Sequence, residues 1–191
     1  MIIDDKNNFV FICVAKTGST SIRRRLGHTE DPPPEVYHMF LADVLKLRPD
    51  VESYRRFAFV RNPYDRAYSS YCNFKYDAGH DWAVPIKKKA TFRDFIMDLE
   101  NGEYSNFIHL RPQVECITIN DQIAVDFLGR FENLSEDFAK MEKMIGLPHA
   151  PLERHRFSRK PGSDPKVFDK DMLEVMRRFY KDDFERLGYE K

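Results

Sequence analysis

The sequence predicts an α/β fold in which a central, mainly parallel β-sheet is flanked by helices. Two apolar runs, at residues 9–14 and 56–60, have the unbroken hydrophobic pattern of strands that are buried on both faces. A helix start follows each run directly, and strand and helix patterns alternate along the chain. With 191 residues, 42% of them hydrophobic and 32% charged, the chain is expected to form one soluble domain over residues 1–191.

Cap and turn residues set the predicted limits of the elements in the first half of the chain. Gly27 closes the first helix, and a proline-rich loop follows it. Asn62 is the predicted N-cap, and Pro63 the first residue, of a helix that runs to about residue 74. The predicted elements are a strand at 9–14, a helix at 19–26, a loop at 28–36, a short helix at 39–47, a strand at 56–60, and a helix from Pro63 on which Tyr64, Tyr68 and Tyr71 form one packed face.

The second half of the chain predicts further strands and helices between exposed loops. Thr91 and Ser135 are the predicted N-caps of two helices, and Asp169 opens a C-terminal helix. The predicted elements are a loop at 77–90, a helix at 91–99, strands at 114–119 and 123–129, a helix at 135–146, a loop at 147–166, and a final helix with Met172, Val175, Met176 and Phe179 on its apolar face.

Charge and cysteine content restrict the class of protein. Lys and Arg together number 31, as do Asp and Glu, and a net charge of zero argues against a general nucleic-acid or membrane-surface binder. No apolar run approaches the ~20 residues of a membrane span, and the N-terminal residues lack a secretory-signal pattern. Three widely separated cysteines without zinc-binding spacing predict reduced thiols, a cytoplasmic location and no bound metal.

The first candidate site is the turn after the strand at 9–14. It contains one cation, one glycine and four hydroxyl residues, which are Lys16, Thr17, Gly18, Ser19, Thr20 and Ser21. Backbone N–H groups at a helix start point outward, and the helix dipole favours an anion there. This pattern predicts a cradle for a phosphate or sulfate group, while a plain strand-to-helix turn with a Ser/Thr N-cap is the alternative.

The second candidate site follows the strand at 56–60 in the same way. Arg61 lies at the carboxyl end of that strand, where ligands of open α/β sheets bind, and Arg66 and Ser69 share a face of the next helix. A guanidinium group is suited to bidentate contacts with phosphate. Two such turns can hold a ligand with two separated anionic groups. The alternative is that Arg61 and Arg66 pair with surface carboxylates and that Ser69 is merely exposed.

The first turn differs from the phosphate loop of nucleotide triphosphatases, whose pattern is G-x-x-x-x-G-K-[ST]. Lys16 precedes the glycine of its turn instead of following it, and the first glycine of the pattern is missing. No convincing apolar strand ends in the Asp that would help to hold Mg²⁺. The pattern favours a phosphate-like ligand without metal-assisted phosphoryl transfer, and a P-loop nucleotide kinase or phosphotransferase is an alternative.

Together the two turns resemble the donor-binding motifs of the sulfotransferase family, especially of its carbohydrate members. Lys16–Ser21 is similar to the 5′-phosphosulfate loop, and Arg61 through Arg66 and Ser69 is similar to the 3′-phosphate motif. The stretches at 127–134 and 180–189 also resemble later parts of that domain. The resemblance covers nearly the whole chain and implies a P-loop NTPase-like sulfotransferase fold.

The resemblance implies a donor, 3′-phosphoadenosine 5′-phosphosulfate (PAPS), whose sulfuryl group is transferred to a hydroxyl or amine without a metal. By position, Lys16 would stabilise the departing phosphate, residues 17–21 would hold the 5′-phosphate, and Arg61 and Ser69 would hold the 3′-phosphate. Negative charge builds up on the leaving phosphate, so hydrogen-bond donors placed there lower the activation barrier of sulfuryl transfer. The expected acceptor is a carbohydrate or another small molecule, and a non-catalytic nucleotide-binding module is a further alternative.

A base has to take the proton of the acceptor, and His38 is the candidate. It lies between the first helix and the second strand, where carbohydrate sulfotransferases often carry a catalytic histidine. An imidazole, with a reference pKa of about 6.5, suits a general base near neutrality. Glu35 is the substitute, and a surface or capping role for His38 is the alternative.

Two further stretches keep two interpretations each. Residues 109–113 (His-Leu-Arg-Pro-Gln) resemble a family segment near the acceptor, or they form a structural turn. The basic stretch from Arg154 to Lys160 either contacts the donor or an anionic acceptor, or is a solvated loop. The sequence makes no prediction of the oligomeric state.

Overall fold

The computed structural model describes residues 1–30, 34–76, 91–102, 104, 107–153 and 164–191. These residues form two compact units, the first from the described parts of 1–61 and 113–156, and the second from those of 62–112 and 157–191. The one domain expected over residues 1–191 stays a prediction.

Groups of strands and groups of helices alternate along the described part of the chain. In chain order they are β1 (Ile2–Asp4), β2 (Phe9–Ile12), α1 (Ser19–Arg25), α2 (Pro34–Tyr37), α3 (Leu41–Leu47), β3 (Arg55–Val60), α4 (Pro63–Tyr76), α5 (Phe92–Met97), α6 (Gln113–Ile117), β4 (Thr118–Ile119), β5 (Gln122–Ile123), β6 (Phe127–Arg130), α7 (Leu134–Met144), α8 (Lys170–Phe179) and α9 (Lys181–Leu187). Short 3₁₀ turns lie at Pro49–Val51, Asp98–Asn101 and Phe131–Asn133.

A four-stranded sheet in the order β1-β2-β3-β6 forms the centre of the first unit. Strands β2, β3 and β6 are parallel, which confirms the predicted mainly parallel sheet, and β1 pairs antiparallel with β2. We did not predict β1, because its three residues are too short a run to show a strand pattern.

Both faces of the central strands are buried, as their unbroken apolar sequences predict. One core contains Phe9, Phe11, Phe57, Phe59, Ile22 of α1, and Phe138 and Met141 of α7. The residues that alternate with these phenylalanines, which are Val10, Ile12, Ala58 and Val60, are equally buried on the other face. Edge-to-face contacts join Phe9 to Phe57 and Phe11 to Phe59, with ring centroids 6.0 and 6.2 Å apart.

The second unit contains α4 together with α5, α8 and α9, and the predicted starts of α4, α5 and α8 are confirmed, whereas the separate helix α9 was not predicted. The Asn62 side chain accepts a hydrogen bond from the backbone N–H of Tyr64 at 3.0 Å. Thr91 and Asp94 form a capping box at the start of α5, and the Asp169 side chain caps α8. The predicted packed faces meet in one core, which includes Tyr68, Tyr71, Phe92, Phe95, Met172, Val175, Met176 and Phe184, with Tyr64 and Phe179 packed against it.

The region from residue 113 to 135 differs from the prediction. The expected strand at 114–119 is the helix α6 followed by the β4–β5 hairpin, in which Asn120 and Asp121 take left-handed φ values of 48° and 60°. A segment of five residues that mixes apolar and polar side chains is too short for its periodicity to distinguish a helix from a strand. The second expected strand, at 123–129, is limited to β5 and β6.

Two smaller predictions of the limits of elements were also wrong. Helix α7 begins at Leu134 with Asn133 as its N-cap, so Ser135 lies inside the helix instead of capping it. The short helix α2 occupies part of the expected loop at 28–36. The predicted loop at 77–90 lies outside the described residues. In the part of the chain that the structure describes, no helix has the length and apolar character needed to cross a membrane.

Gly129 allows the Phe59 side chain to pack in the sheet of the first unit. A Cβ atom at this position would lie 2.3–2.7 Å from three ring atoms of Phe59 on the neighbouring strand. We expect Gly129→Ala to lower the free energy of unfolding by about 1–3 kcal/mol, because a well-packed core cannot accept the extra methyl group without strain. Urea denaturation measures the change. The double variant Gly129→Ala/Phe59→Leu is the control. If its loss in free energy of unfolding equals the sum of the losses in the two single variants, the explanation by ring contact is wrong.

Candidate functional site

The turn between β2 and α1 has a backbone shape that depends on two left-handed residues. Lys16 has a φ of 67° and Gly18 has a φ of 84°. Residues other than glycine rarely adopt this left-handed region. Thr17 is fully buried, and its hydroxyl donates to the Val14 carbonyl at 2.8 Å. The Thr17 hydroxyl therefore stabilises the turn itself. The backbone N–H of Thr17 is the group that could contact an anion.

Gly18 is the N-cap of α1, so the alternative of a Ser/Thr cap is wrong. The N–H groups of Ser21 and Ile22 donate to the Gly18 carbonyl at 3.0 and 3.3 Å. Gly18 has no side chain that could accept from the first-turn N–H groups. Ser19 is buried, and the Thr20 hydroxyl shares a 3.1 Å hydrogen bond with the Tyr37 hydroxyl.

Arg61, which directly follows β3, contacts this turn. Its Nη1 donates to the Lys16 carbonyl at 3.3 Å. Strands β2 and β3 are parallel neighbours, so their carboxyl ends meet at one edge of the sheet. The structure thus brings together two of the residues that the sequence predicted for donor binding, Lys16 and Arg61.

Gln113 holds the backbone of Arg61 on both sides. Its side-chain oxygen accepts from the Arg61 N–H at 2.9 Å, and its side-chain nitrogen donates to the Arg61 carbonyl at 2.8 Å. Gln113 is fully buried as the first residue of α6. The sequence associates Gln113 only with the segment at 109–113, because a side-chain clamp between residues 52 positions apart leaves no local pattern.

Phe131 and Leu134 border the same turn. The Arg61 guanidinium lies 4.1 Å from the centroid of the Phe131 ring. A Cβ atom on Gly18 would lie 2.9 Å from the Leu134 side chain and 3.3 Å from two ring carbons of Phe131. Gly18 is therefore required both for its φ and for the close approach of these side chains.

His38 lies beside Cys13, the residue that follows β2, and a hydrogen bond and a stacked ring contact its imidazole. Its Nδ1 is 2.6 Å from the Cys13 carbonyl, and it is only 8% exposed. A carbonyl can only accept, so Nδ1 carries the proton, and in the neutral imidazole the lone pair is on Nε2. The His38 ring stacks on the Tyr37 ring with centroids 4.3 Å apart, and the Arg23 guanidinium lies 4.6 Å from the Tyr37 centroid.

For the other candidate residues, the structure shows no contact with this turn or does not describe their side chains. Glu35 is part of α2, and its side chain is not among those described. The basic stretch 154–160 lies in a range that the structure does not describe. Burial raises the pKa of the Cys13 thiol, which suits a core residue and not a nucleophile. Among the described residues, no group of His, Cys, Asp and Glu could hold a metal ion.

Arg66, although part of the second motif, is buried in the second unit. Its Nη2 donates to the carbonyls of His109 and Arg111 at 3.1 and 2.8 Å, and its Nη1 lies 3.9 Å from the buried Asp183 carboxylate. These contacts favour the structural interpretation of residues 109–111. Ser69, on α4 in this unit, is also buried, and its role toward a 3′-phosphate stays a prediction.

Comparison with known proteins agrees with the two turns. The family model described as "Sulfotransferase family" matches residues 1–190, and the chain belongs to this family. The resemblance inferred from the Lys16 and Arg61 motifs is thereby confirmed. An "Uncharacterized protein" of Archaeoglobus fulgidus is 35% identical over 98 residues, which are 51% of this chain and 72% of that protein. The comparison with solved structures found no significant match.

The Gln113 clamp makes a prediction for stability. We expect Gln113→Ala to lower the free energy of unfolding by about 1–3 kcal/mol, because two backbone groups of Arg61 lose their hydrogen-bond partners. Urea denaturation measures this, and Gln122→Ala on the exposed strand β5 is the matched control. Equal stability of the two variants would contradict the clamp.

Proposed function

We propose that the protein transfers a sulfuryl group from PAPS to a hydroxyl group, with a carbohydrate as the acceptor. The observation that carries this proposal is the hydrogen bond from the Arg61 guanidinium to the Lys16 carbonyl. It joins the two turns whose sequences resemble the donor motifs, and membership of the sulfotransferase family supports sulfuryl transfer.

The chemistry of these turns suits a bisphosphate donor. Lys16 supplies a point charge, and the backbone at the glycine-capped start of α1 supplies N–H groups. Arg61 supplies a guanidinium group whose backbone is fixed by Gln113. Preorganised cations and N–H groups stabilise charge without having to reorient during the reaction.

In the proposed mechanism the acceptor hydroxyl attacks sulfur in line with the leaving group. A bond forms between the acceptor oxygen and sulfur, and the bond between sulfur and the 5′-phosphate oxygen breaks. His38 takes the hydroxyl proton on Nε2, and Lys16 stabilises the negative charge on the departing phosphate. The products are a sulfate ester and adenosine 3′,5′-bisphosphate.

The contacts of His38 support its role as the base. The Cys13 carbonyl fixes the tautomer, because only a protonated Nδ1 can donate to it. Tyr37 supports one face of the imidazole and shares a hydrogen bond with Thr20 in the first turn of α1. A base held in this way needs little reorganisation before it accepts a proton.

The alternatives are a P-loop phosphotransferase and a non-catalytic module that binds the nucleotide. The family assignment favours sulfuryl over phosphoryl transfer. The carbohydrate acceptor is supported by the resemblance to carbohydrate sulfotransferases. An assay of sulfuryl transfer from labelled PAPS to a panel of sugars separates the enzyme from a binding module.

Binding of adenosine 3′,5′-bisphosphate tests the donor site. We expect Lys16→Ala and Arg61→Ala each to weaken this binding by about 10- to 100-fold, because each removes charge-assisted hydrogen bonds. Isothermal titration calorimetry measures the Kd. Lys6→Ala and Arg177→Ala, at exposed positions, are the matched controls. If both donor-site variants bind as tightly as the wild type, the assignment is wrong.

The turnover number kcat tests whether His38 is the general base. We expect His38→Gln to lower kcat by about 10²–10⁴-fold while the Kd for adenosine 3′,5′-bisphosphate is unchanged, since proton transfer matters only in the transition state. His28→Gln, at an exposed position, is the control. Unchanged turnover would reject His38, and a comparable loss in Glu35→Gln alone would transfer the role to Glu35.

A further inference from the structure

We propose that Phe131 is a positioning residue of the donor site, whose ring holds the Arg61 guanidinium and the Gly18 turn in one arrangement. This inference rests on the proposed function, because it assigns a task toward the same donor. Phe131 would touch neither the transferred group nor the acceptor, and would act through Arg61 and Gly18.

The sheet places Phe131 beside Arg61. Strands β3 and β6 are parallel, and Val60 is paired in register with Arg130. Arg61 directly follows β3 and Phe131 directly follows β6, so the two residues are neighbours at the end of the sheet. Phe131 begins a 3₁₀ turn, so the chain leaves the sheet at the same edge as the Arg61 turn.

The face of the Phe131 ring is in range to attract the Arg61 cation. The guanidinium carbon lies 4.1 Å from the ring centroid, well inside the ~6 Å within which a cation interacts with an aromatic face. The planar guanidinium can lie against a ring and still direct N–H groups outward. This contact restricts a long side chain that would otherwise lose more conformational entropy on binding an anion.

The Phe131 ring also occupies the space that a side chain on Gly18 would need. Two ring carbons lie 3.3 Å from the position that a Cβ atom of Gly18 would occupy. Arg61 in turn donates to the carbonyl of Lys16, two residues before Gly18. The Arg61 side chain thus contacts both the Phe131 ring and the Lys16 carbonyl. Gln113 fixes the backbone of Arg61, and Phe131 fixes its charged end.

Substitution of the ring separates this role from simple packing. Phe131→Leu keeps an apolar side chain of similar size but removes the aromatic face, whereas Phe131→Tyr keeps the face. Phe127→Leu is the matched control, because Phe127 is the first residue of β6 and its ring packs against those of Phe57 and Phe59 in the core. A purely structural effect should be similar in the two leucine variants.

The first experiment measures the Kd of adenosine 3′,5′-bisphosphate by calorimetry. We expect Phe131→Leu to bind about tenfold more weakly than the wild type, and Phe131→Tyr and Phe127→Leu to bind as the wild type does. In an Arg61→Ala background, Phe131→Leu should cost much less further affinity. Equal losses in both backgrounds, or wild-type affinity in Phe131→Leu, would overturn the role of Phe131.

The second experiment needs no ligand and distinguishes failure of this inference from failure of the proposed function. The NMR resonance of the Arg61 Nε–H, assigned by its loss in Arg61→Lys, should be shielded by the ring and move downfield in Phe131→Leu but not in Phe127→Leu. An unmoved resonance overturns the contact. If the resonance moves but the wild-type protein does not bind the bisphosphate, the contact between Phe131 and Arg61 is confirmed. The donor site is then wrong, and so is the task of Phe131 in it.

Discussion

The candidate site depends on the parallel pairing of β2 with β3. Parallel neighbours end at the same edge of a sheet, so the Lys16 turn and the Arg61 turn meet without a long connection. The pairing is secured by side chains buried on both faces, including the edge-to-face pair Phe11 and Phe59. The apolar core thus fixes where the polar groups lie, since a slip by one residue would send every strand side chain to the opposite face.

Three contacts orient Arg61 at this edge of the sheet. The Lys16 carbonyl accepts from Arg61, the Phe131 ring faces its guanidinium, and Gln113 bonds its backbone. The dipole of the carbonyl and the quadrupole of the aromatic ring orient the Arg61 cation at this edge of the sheet.

The two arginines of the second motif show how environment separates similar side chains. Arg66 is 1% exposed, donates to two carbonyls and faces Asp183 in the second unit. A buried guanidinium needs such partners because its desolvation is costly, so Arg66 serves the fold. Arg61 is half-buried at a strand end and fits a ligand-binding role. Their positions in the sequence, five residues apart in one motif, do not predict this difference.

The sequence by itself determined the parallel strands, the Asn62-Pro63 helix start, the Lys16 and Arg61 motifs and the family, because each depends on neighbouring residues or a contiguous pattern. Only the tertiary structure decided the Gln113 clamp, the Phe131 contact and the burial of Arg66, since these join residues distant in the chain. It also decided that residues 113–117 are a helix, because so short a segment fits both the helix and the strand periodicity. Local patterns specify which elements form, and packing between distant elements specifies which side chains serve the site.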